Sequence, residues 1–418
     1  ETQLNLLFGE ARSMNGWQDQ DVSDAMIHSL YELTKMGPTS TNCSPARFVF
    51  VKSEAEKSKL EPALLPNNIP KVMTAPVVVI IFPSQIVSYE KHLNVLSFTT
   101  ENGAVLQVTV RRDSILRFRF TTTGIFENDF SYAITKYASR GYNLLEVTEN
   151  DKNYIITTTK LICHISKLDL RTSIYDAIDK SLICEDELGF HWEESYEFGG
   201  NVVKMSKTAQ PGESYYGLGD KPVDNNLKGK RFENWVTDSY AYGRNTDPIY
   251  KTIPFYTALH NKKSYGIFFD NTFRSFFDFC HERRNITSFW AQGGEMNYYF
   301  IYGPEMSDVV VNYTDLTGKP HQLPALWTLG YHQCKWSYYP ESNVKEITKK
   351  FRDLKIPCDA IYLDIDYMEG FRCFTWSEEY FPNPKRMVKE LADDGFKTIV
   401  IIDPGIKIDM DYSVFREG

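Results

Sequence analysis

Two acids, Asp364 and Asp366, stand two residues apart in Leu363-Asp364-Ile365-Asp366-Tyr367-Met368. The apolar run 359–363 leads into them and reads as a short strand that delivers both acids at its tip. A second apolar run, 398–402, ends at Asp403-Pro404, and an earlier one, 326–331, ends in His332-Gln333-Cys334-Lys335-Trp336. Carboxylates accept hydrogen bonds from neighbouring hydroxyls, and an indole face packs on the C–H face of a sugar ring. Acids and an aromatic ring at strand tips therefore suit the binding of a polyol. No His or Cys cluster at ligand spacing suggests a metal. His332 reads as a hydrogen-bonded structural residue or a rim contact.

Strand, helix, strand with acids at the strand ends is the pattern of an α/β barrel, whose sites lie at the C-terminal tips. After the first strand, Ser342 precedes a helix with Val344, Ile347, Phe351 and Leu354 on one face. Asn383-Pro384 starts the next helix, with Met387 and Leu391 inward and Gly395 just past its end. Three strands in about ninety residues make under half of the ~250 residues of an eightfold barrel. Residues 83–320 differ in texture. Period-two segments at 105–110, 115–120, 154–159, 265–269 and 298–302, broken by Gly, Asn and Asp, predict an antiparallel sandwich. Gly217-Leu218-Gly219 lacks the third glycine and the helix of a dinucleotide loop. Residues 1–82 alternate helix and strand patterns. Ser23 caps a helix with Met26, Ile27, Leu30 and Leu33 on one face, and Ser53 with Glu56 forms a capping box. The apolar runs 47–51 and 76–82 predict a sheet buried on both faces. The fold class is thus mixed: a partial α/β segment (1–82), an antiparallel β-sandwich (83–325), and the first three βα units of a truncated (β/α)8 barrel (326–418).

The 418 residues allow roughly two to three domains. A formal net charge of -9 gives no basic field for nucleic acid. No apolar run reaches the ~18 residues of a membrane-spanning helix. The N-terminus has no charged-then-apolar leader pattern, and Glu1 in place of Met leaves room for residues upstream. Seven cysteines without a CxxC read as reduced and mostly buried, which suggests a reducing compartment. Aromatic content is 14%, high enough to expect β-rich architecture.

Two resemblances add to this reading. Gly330-Tyr331-His332-Gln333-Cys334-Lys335-Trp336-Ser337-Tyr338, Asp364-Ile365-Asp366-Tyr367-Met368 and Ile401-Ile402-Asp403-Pro404 resemble family-31 glycoside hydrolases, the α-glucosidase and α-xylosidase group. So do Tyr215-Tyr216-Gly217-Leu218-Gly219-Asp220 and Asn245-Thr246-Asp247-Pro248 in the sandwich. The resemblance runs from about residue 83 to the end. It implies that Asp364 binds hydroxyls of a non-reducing-end glucose or xylose, that Trp336, Ile365 and Ile401 line the same pocket, that Asp247 touches the sugar from a sandwich loop, and that Asp366 is structural. The family's nucleophile and acid/base carboxyls come from later strands, and neither motif occurs here. No catalytic residue is therefore assigned, and the chain is expected to bind an α-linked oligosaccharide without hydrolysing it. Ala11-Arg12-Ser13-Met14-Asn15-Gly16-Trp17 and the stretch from Gly37-Pro38 to Phe48 resemble the nitroreductase family, the malonic semialdehyde reductase type. That resemblance implies FMN contacts at Arg12, Ser40 and Asn42. It covers only about residues 1–82, and the expectation is a segment without cofactor. The alternatives are an FMN reductase segment and a non-catalytic sugar-binding module.

Overall fold

The computed structural model describes residues 21–34, 47–61, 69–82, 85–135, 146–194 and 201–418. The chain divides into two compact units, Glu1–Lys319 and Pro320–Gly418.

The first unit opens with helix α1 (Asp24–Thr34), where the Ser23 hydroxyl accepts from the Met26 amide at 3.2 Å. Met26 and Leu30 are each 54% exposed, so the apolar stripe expected on this helix is half open to solvent. Strand β1 (Arg47–Val51), the single turn α2 (Glu54–Lys57) capped by Ser53, α3 (Ile69–Thr74) and β2 (Val78–Phe82) follow. β1 and β2 pair antiparallel as a two-stranded sheet. Among the described residues the expected sheet is this one antiparallel pair, with α2 and α3 in the connection between its strands. Arg12, Ser40 and Asn42 lie outside the described residues.

The sandwich contributes β3 (Ile86–His92), β4 (Val95–Thr100), β5 (Val105–Arg112), β6 (Ile115–Thr121), β7 (Glu146–Glu149), β8 (Asn153–Thr157) and β9 (Leu161–Ser166). Next come β10 (Thr172–Asp176), β11 (Leu182–Glu194), β12 (Asn201–Thr208), β13 (Ser214–Gly219), β14 (Lys230–Asn234) and β15 (Thr252–His260). The last are β16 (Lys263–Phe269), β17 (Ser275–Phe279), β18 (Ile286–Ala291) and β19 (Met296–Gly303). One sheet has the order β14-β17-β18-β12-β11-β10-β9-β8-β7, the other β13-β15-β16-β19-β6-β5-β4-β3. Leu106, Phe118, Phe277, Phe289, Tyr298 and Phe300 lie in the core between them.

Helix α4 (Met306–Thr317), which the strand pattern did not foretell, covers the outer face of β19, which is buried along its whole length. Leu116 and Phe118 face the sandwich core, while Ile115, Tyr299 and Ile301 pack with Val309 and Leu316 of α4 in a second cluster. Two arginines of β6 share that buried region and are neutralised there. Arg117 donates to both oxygens of Asp129 at 3.0 and 2.8 Å, and Arg119 to both oxygens of Glu295 at 2.8 and 2.6 Å. Gly217 and Gly219 sit inside β13, at φ 131° and 82°, and a Cβ at either would come within 2.6 Å of a carbonyl oxygen beside β15. Close strand approach, not phosphate, is what these glycines serve.

The second unit holds a parallel sheet in the order β20 (His332–Gln333), β21 (Ala360–Leu363), β22 (Lys397–Val400). Helix α5 (Glu341–Asp353) joins the first pair and α6 (Pro384–Asp393) the second. Val344, Ile361, Leu363, Met387, Leu391 and Phe396 form their core. Asn383 caps α6 as expected, accepting from the Arg386 amide at 3.0 Å. Three details differ from expectation. Residues Leu326–Leu329 form a 3-10 turn, with Leu326 and Leu329 84% and 72% exposed, and the first strand is only the pair after it. α5 begins at Glu341 on a Pro340 cap, one residue before Ser342. Leu354 falls just beyond α5 and is 67% exposed.

Candidate functional site

At the tip of β21 the chain turns because of Asp364. Its Oδ1 accepts from the Ile365 amide at 2.8 Å and starts a short 3-10 turn, Ile365–Tyr367. No hydrogen-bond partner holds its Oδ2 among the described residues, and the side chain is half-buried. Cys334, just past β20, is exposed; partial desolvation raises its thiol, and the Asp364 charge raises it further. Trp336 is 76% exposed. Its Nε1–H donates to Asp366 Oδ2 at 3.2 Å, so the second acid steadies the indole. Sequence reasoning missed this link, since the partners are thirty residues apart and no local pattern joins them.

Ile365 packs on the core of the unit, and Ile401, just beyond β22, is 39% exposed. Two bonds fix Ile401 beside the end of β21: its amide donates to the Leu363 carbonyl at 3.1 Å, and its own carbonyl accepts from the Tyr367 hydroxyl at 2.9 Å. Thus Cys334 and Asp364, Trp336 and Asp366, and Ile401 and β21 are each neighbours at the strand tips. Asp403 is exposed and takes a left-handed φ of 47°. His332 is occupied on both ring nitrogens, by the Tyr362 hydroxyl at 3.0 Å and the Trp327 carbonyl at 3.1 Å, which fits a structural residue. Among the described residues no group of three His, Cys, Asp or Glu could hold a metal.

Asp247 belongs to the first unit and has different surroundings. Its Oδ1 accepts from Lys221 Nζ at 2.5 Å and its Oδ2 from the Glu233 amide at 2.6 Å. Both oxygens are thereby engaged within the sandwich, at the foot of the loop 235–251. The loop's other acid, Asp238, is exposed. Burial raises the nearby Tyr250 hydroxyl, and the Asp238 charge adds to that.

Residues 105–278 match the glycosyl hydrolase 31 N-terminal galactose mutarotase-like domain, and residues 321–418 match the family 31 TIM-barrel domain. Both stretches belong to glycosyl hydrolase family 31. The family-31 models match outside residues 1–82, and the comparisons lend no support to the nitroreductase resemblance expected there. Alpha-glucosidase 2 of Bacillus thermoamyloliquefaciens is 35% identical over 79% of this chain and 41% of its own length. The alpha-glucosidase of Saccharolobus solfataricus is 34% identical over 52% of this chain and 32% of its own. The family-31 dextranase of Flavobacterium johnsoniae, solved with isomaltotriose, superposes with a TM-score of 0.66 at 33% identity, over 76% of this chain and 38% of that one. The chain thus spans about two fifths or less of these family-31 relatives.

Proposed function

We propose that the strand tips of the second unit hold the non-reducing-end sugar of an α-linked glucoside. The free oxygen of Asp364 accepts from ring hydroxyls, the Trp336 indole packs against the C–H face, and Ile365 and Ile401 give the apolar wall. The observation that carries this reading is the pairing of a half-buried acid with an open oxygen and an exposed indole held by a second acid. Family membership and the names of the α-glucosidase relatives support it. Asp247 enters as the clasp of the sandwich loop rather than as a sugar contact, because its oxygens are taken. No FMN role is proposed for Arg12, Ser40 or Asn42.

Retaining hydrolysis, the reaction this reading assigns to the longer relatives, needs a nucleophile and an acid/base carboxyl about 5 Å apart on either side of the scissile bond. In these 418 residues Asp364 is assigned to bind the sugar hydroxyls and Asp366 to hold the Trp336 indole, and neither is assigned that work. The 418-residue chain binds and orients the sugar. The test uses the Trp336 indole N–H resonance, assigned by its absence in Trp336→Phe. Titration with isomaltose should shift it, and Asp364→Ala should weaken the response at least about tenfold, since a hydrogen bond to a charged group contributes about 1.5–3 kcal/mol. An indole signal that ignores isomaltose, or responds equally in Asp364→Ala, overturns the proposal.

A further inference from the structure

The sandwich has a cavity of about 460 Å³ whose lining lies wholly within the first unit. Asn234, the last residue of β14, stands opposite Ser275 of β17, and Thr252 begins β15 in the other sheet. All three line the cavity. Asn234 is 4% exposed, yet neither its Oδ1 nor its Nδ2 has a hydrogen-bond partner among the described residues, and the buried Thr252 Oγ1 has none either. A polar group buried without a partner is costly, so a ligand that supplies one is favoured here. An amide and a hydroxyl together offer donors and acceptors to a molecule that carries both.

The walls narrow the choice. Trp235 and Phe273 are 42% and 40% exposed, Tyr132 is 85% exposed, and Tyr313 and Phe268 close the far side. Among the described residues no Lys, Arg or His lines the space, and the charged residue that does is Asp270. That carboxylate already accepts from Ser131 Oγ at 2.8 Å and Asn297 Nδ2 at 3.3 Å, and burial pushes it above the usual range. Arg274, whose guanidinium lies 5.2 Å from the Trp235 ring centroid, is outside this lining and pairs with Glu233 at 3.2 Å, so the described lining offers an anionic ligand no cation. A neutral ring with an apolar face and edge hydroxyls matches both the rings and the unpaired amide. The volume lies within the range of about 300–1,000 Å³ typical of small-molecule sites.

We propose that the sandwich unit binds a mono- or disaccharide in this cavity, with the sugar's hydroxyls on Asn234 and Thr252 and its C–H face on Trp235 and Phe273. The proposal does not rest on the barrel reading. The test is calorimetric titration of maltose into the 418-residue chain carrying Asp364→Ala and Trp336→Ala, which silences the strand-tip site. Binding should persist in that background at millimolar maltose, and should weaken at least tenfold on adding Trp235→Ala. That side chain is partly exposed, so folding is kept, as circular dichroism would verify. Asn234→Ala should weaken binding similarly. Loss of all maltose binding in the Asp364→Ala, Trp336→Ala background overturns the proposal, and so does binding there that Trp235→Ala leaves unchanged. The barrel reading fails by a different sign, an isomaltose response of Trp336 that Asp364→Ala does not alter.

Discussion

Both oxygens of Asp247 are engaged inside the sandwich, by an ammonium and an amide, whereas Asp364 gives one oxygen to its own turn and keeps the other open. One acid stands in a sandwich loop and the other at a strand tip, and the family resemblance implied a sugar contact for both. What separates them is the neighbour: Lys221, with a side chain 3% exposed, sits twenty-six residues before Asp247 and needs a counter-charge. Burial pulls the Lys221 ammonium below its ordinary value, and the hydrogen bond and charge of Asp247 work against that pull. Removing one partner of a buried pair leaves an uncompensated charge and costs about 3–5 kcal/mol. Asp247→Ala should therefore lower the urea midpoint of the sandwich and leave the isomaltose response of Trp336 intact in the folded protein. Unchanged stability with a weakened isomaltose response would return Asp247 to the sugar. Trp336 and Asp364 could be picked out from the sequence because residue type carries chemistry. Their partners could not, because the Trp336–Asp366 and Asp247–Lys221 bonds join distant positions.

At the scale of elements, legibility followed burial. Segments 105–110, 265–269 and 298–302 alternate or run apolar, and each lies inside an observed strand. The cap at Asn383 and the inward Met387 and Leu391 were equally plain. The run 326–331 misled, since a short apolar stretch does not distinguish a strand from an exposed turn. Helix α4 escaped because it follows the strand pattern and covers one sheet with only two fully buried residues, Val309 and Leu316. Elements also meet through charge. Lys263 of β16 reaches Asp176 at the end of β10 at 2.8 Å, Asp179 at 2.6 Å and Ser181 at 2.8 Å, and so ties the two sheets together. Burial alone would raise Asp176, but Lys263, Tyr302 and two backbone amides bring it below the usual carboxylate value. Hydrogen bonds from Lys263 and Ser181 hold Asp179 lower still. Carboxyls depressed in the folded state add stability that is present above their unfolded value of about 3.9 and is lost as pH falls below it. Lys263→Met should thus cost about 2 kcal/mol at neutral pH, on the scale of a charged hydrogen bond. The gap from wild type should narrow once pH drops below about 4. Urea midpoints across that range check this, and a gap independent of pH would show that Lys263 acts by packing alone.

For the molecule as a whole, the order of sandwich and barrel was readable because each has its own period, two in the strands and 3.6 in α5 and α6. The antiparallel pairing of β1 and β2 was not, since an apolar run is silent about strand direction. The cavity at Asn234 was equally hidden, because it forms only where the ends of β14 and β15 from different sheets come together. The 418-residue chain should release no nitrophenol from a nitrophenyl α-glucoside above the buffer rate, because binding alone does not lower a barrier. Turnover abolished by Asp364→Ala or Asp366→Ala would show that these acids do catalytic work.

The most direct test of the account is a crystal structure of this chain soaked in isomaltose. We expect a pyranose lying over the Trp336 indole, with hydroxyl oxygens within hydrogen-bond reach of Asp364 Oδ2 and the Trp336–Asp366 bond kept. A strand tip without sugar at saturating isomaltose, or a sugar there that touches neither Asp364 nor Trp336, would contradict it.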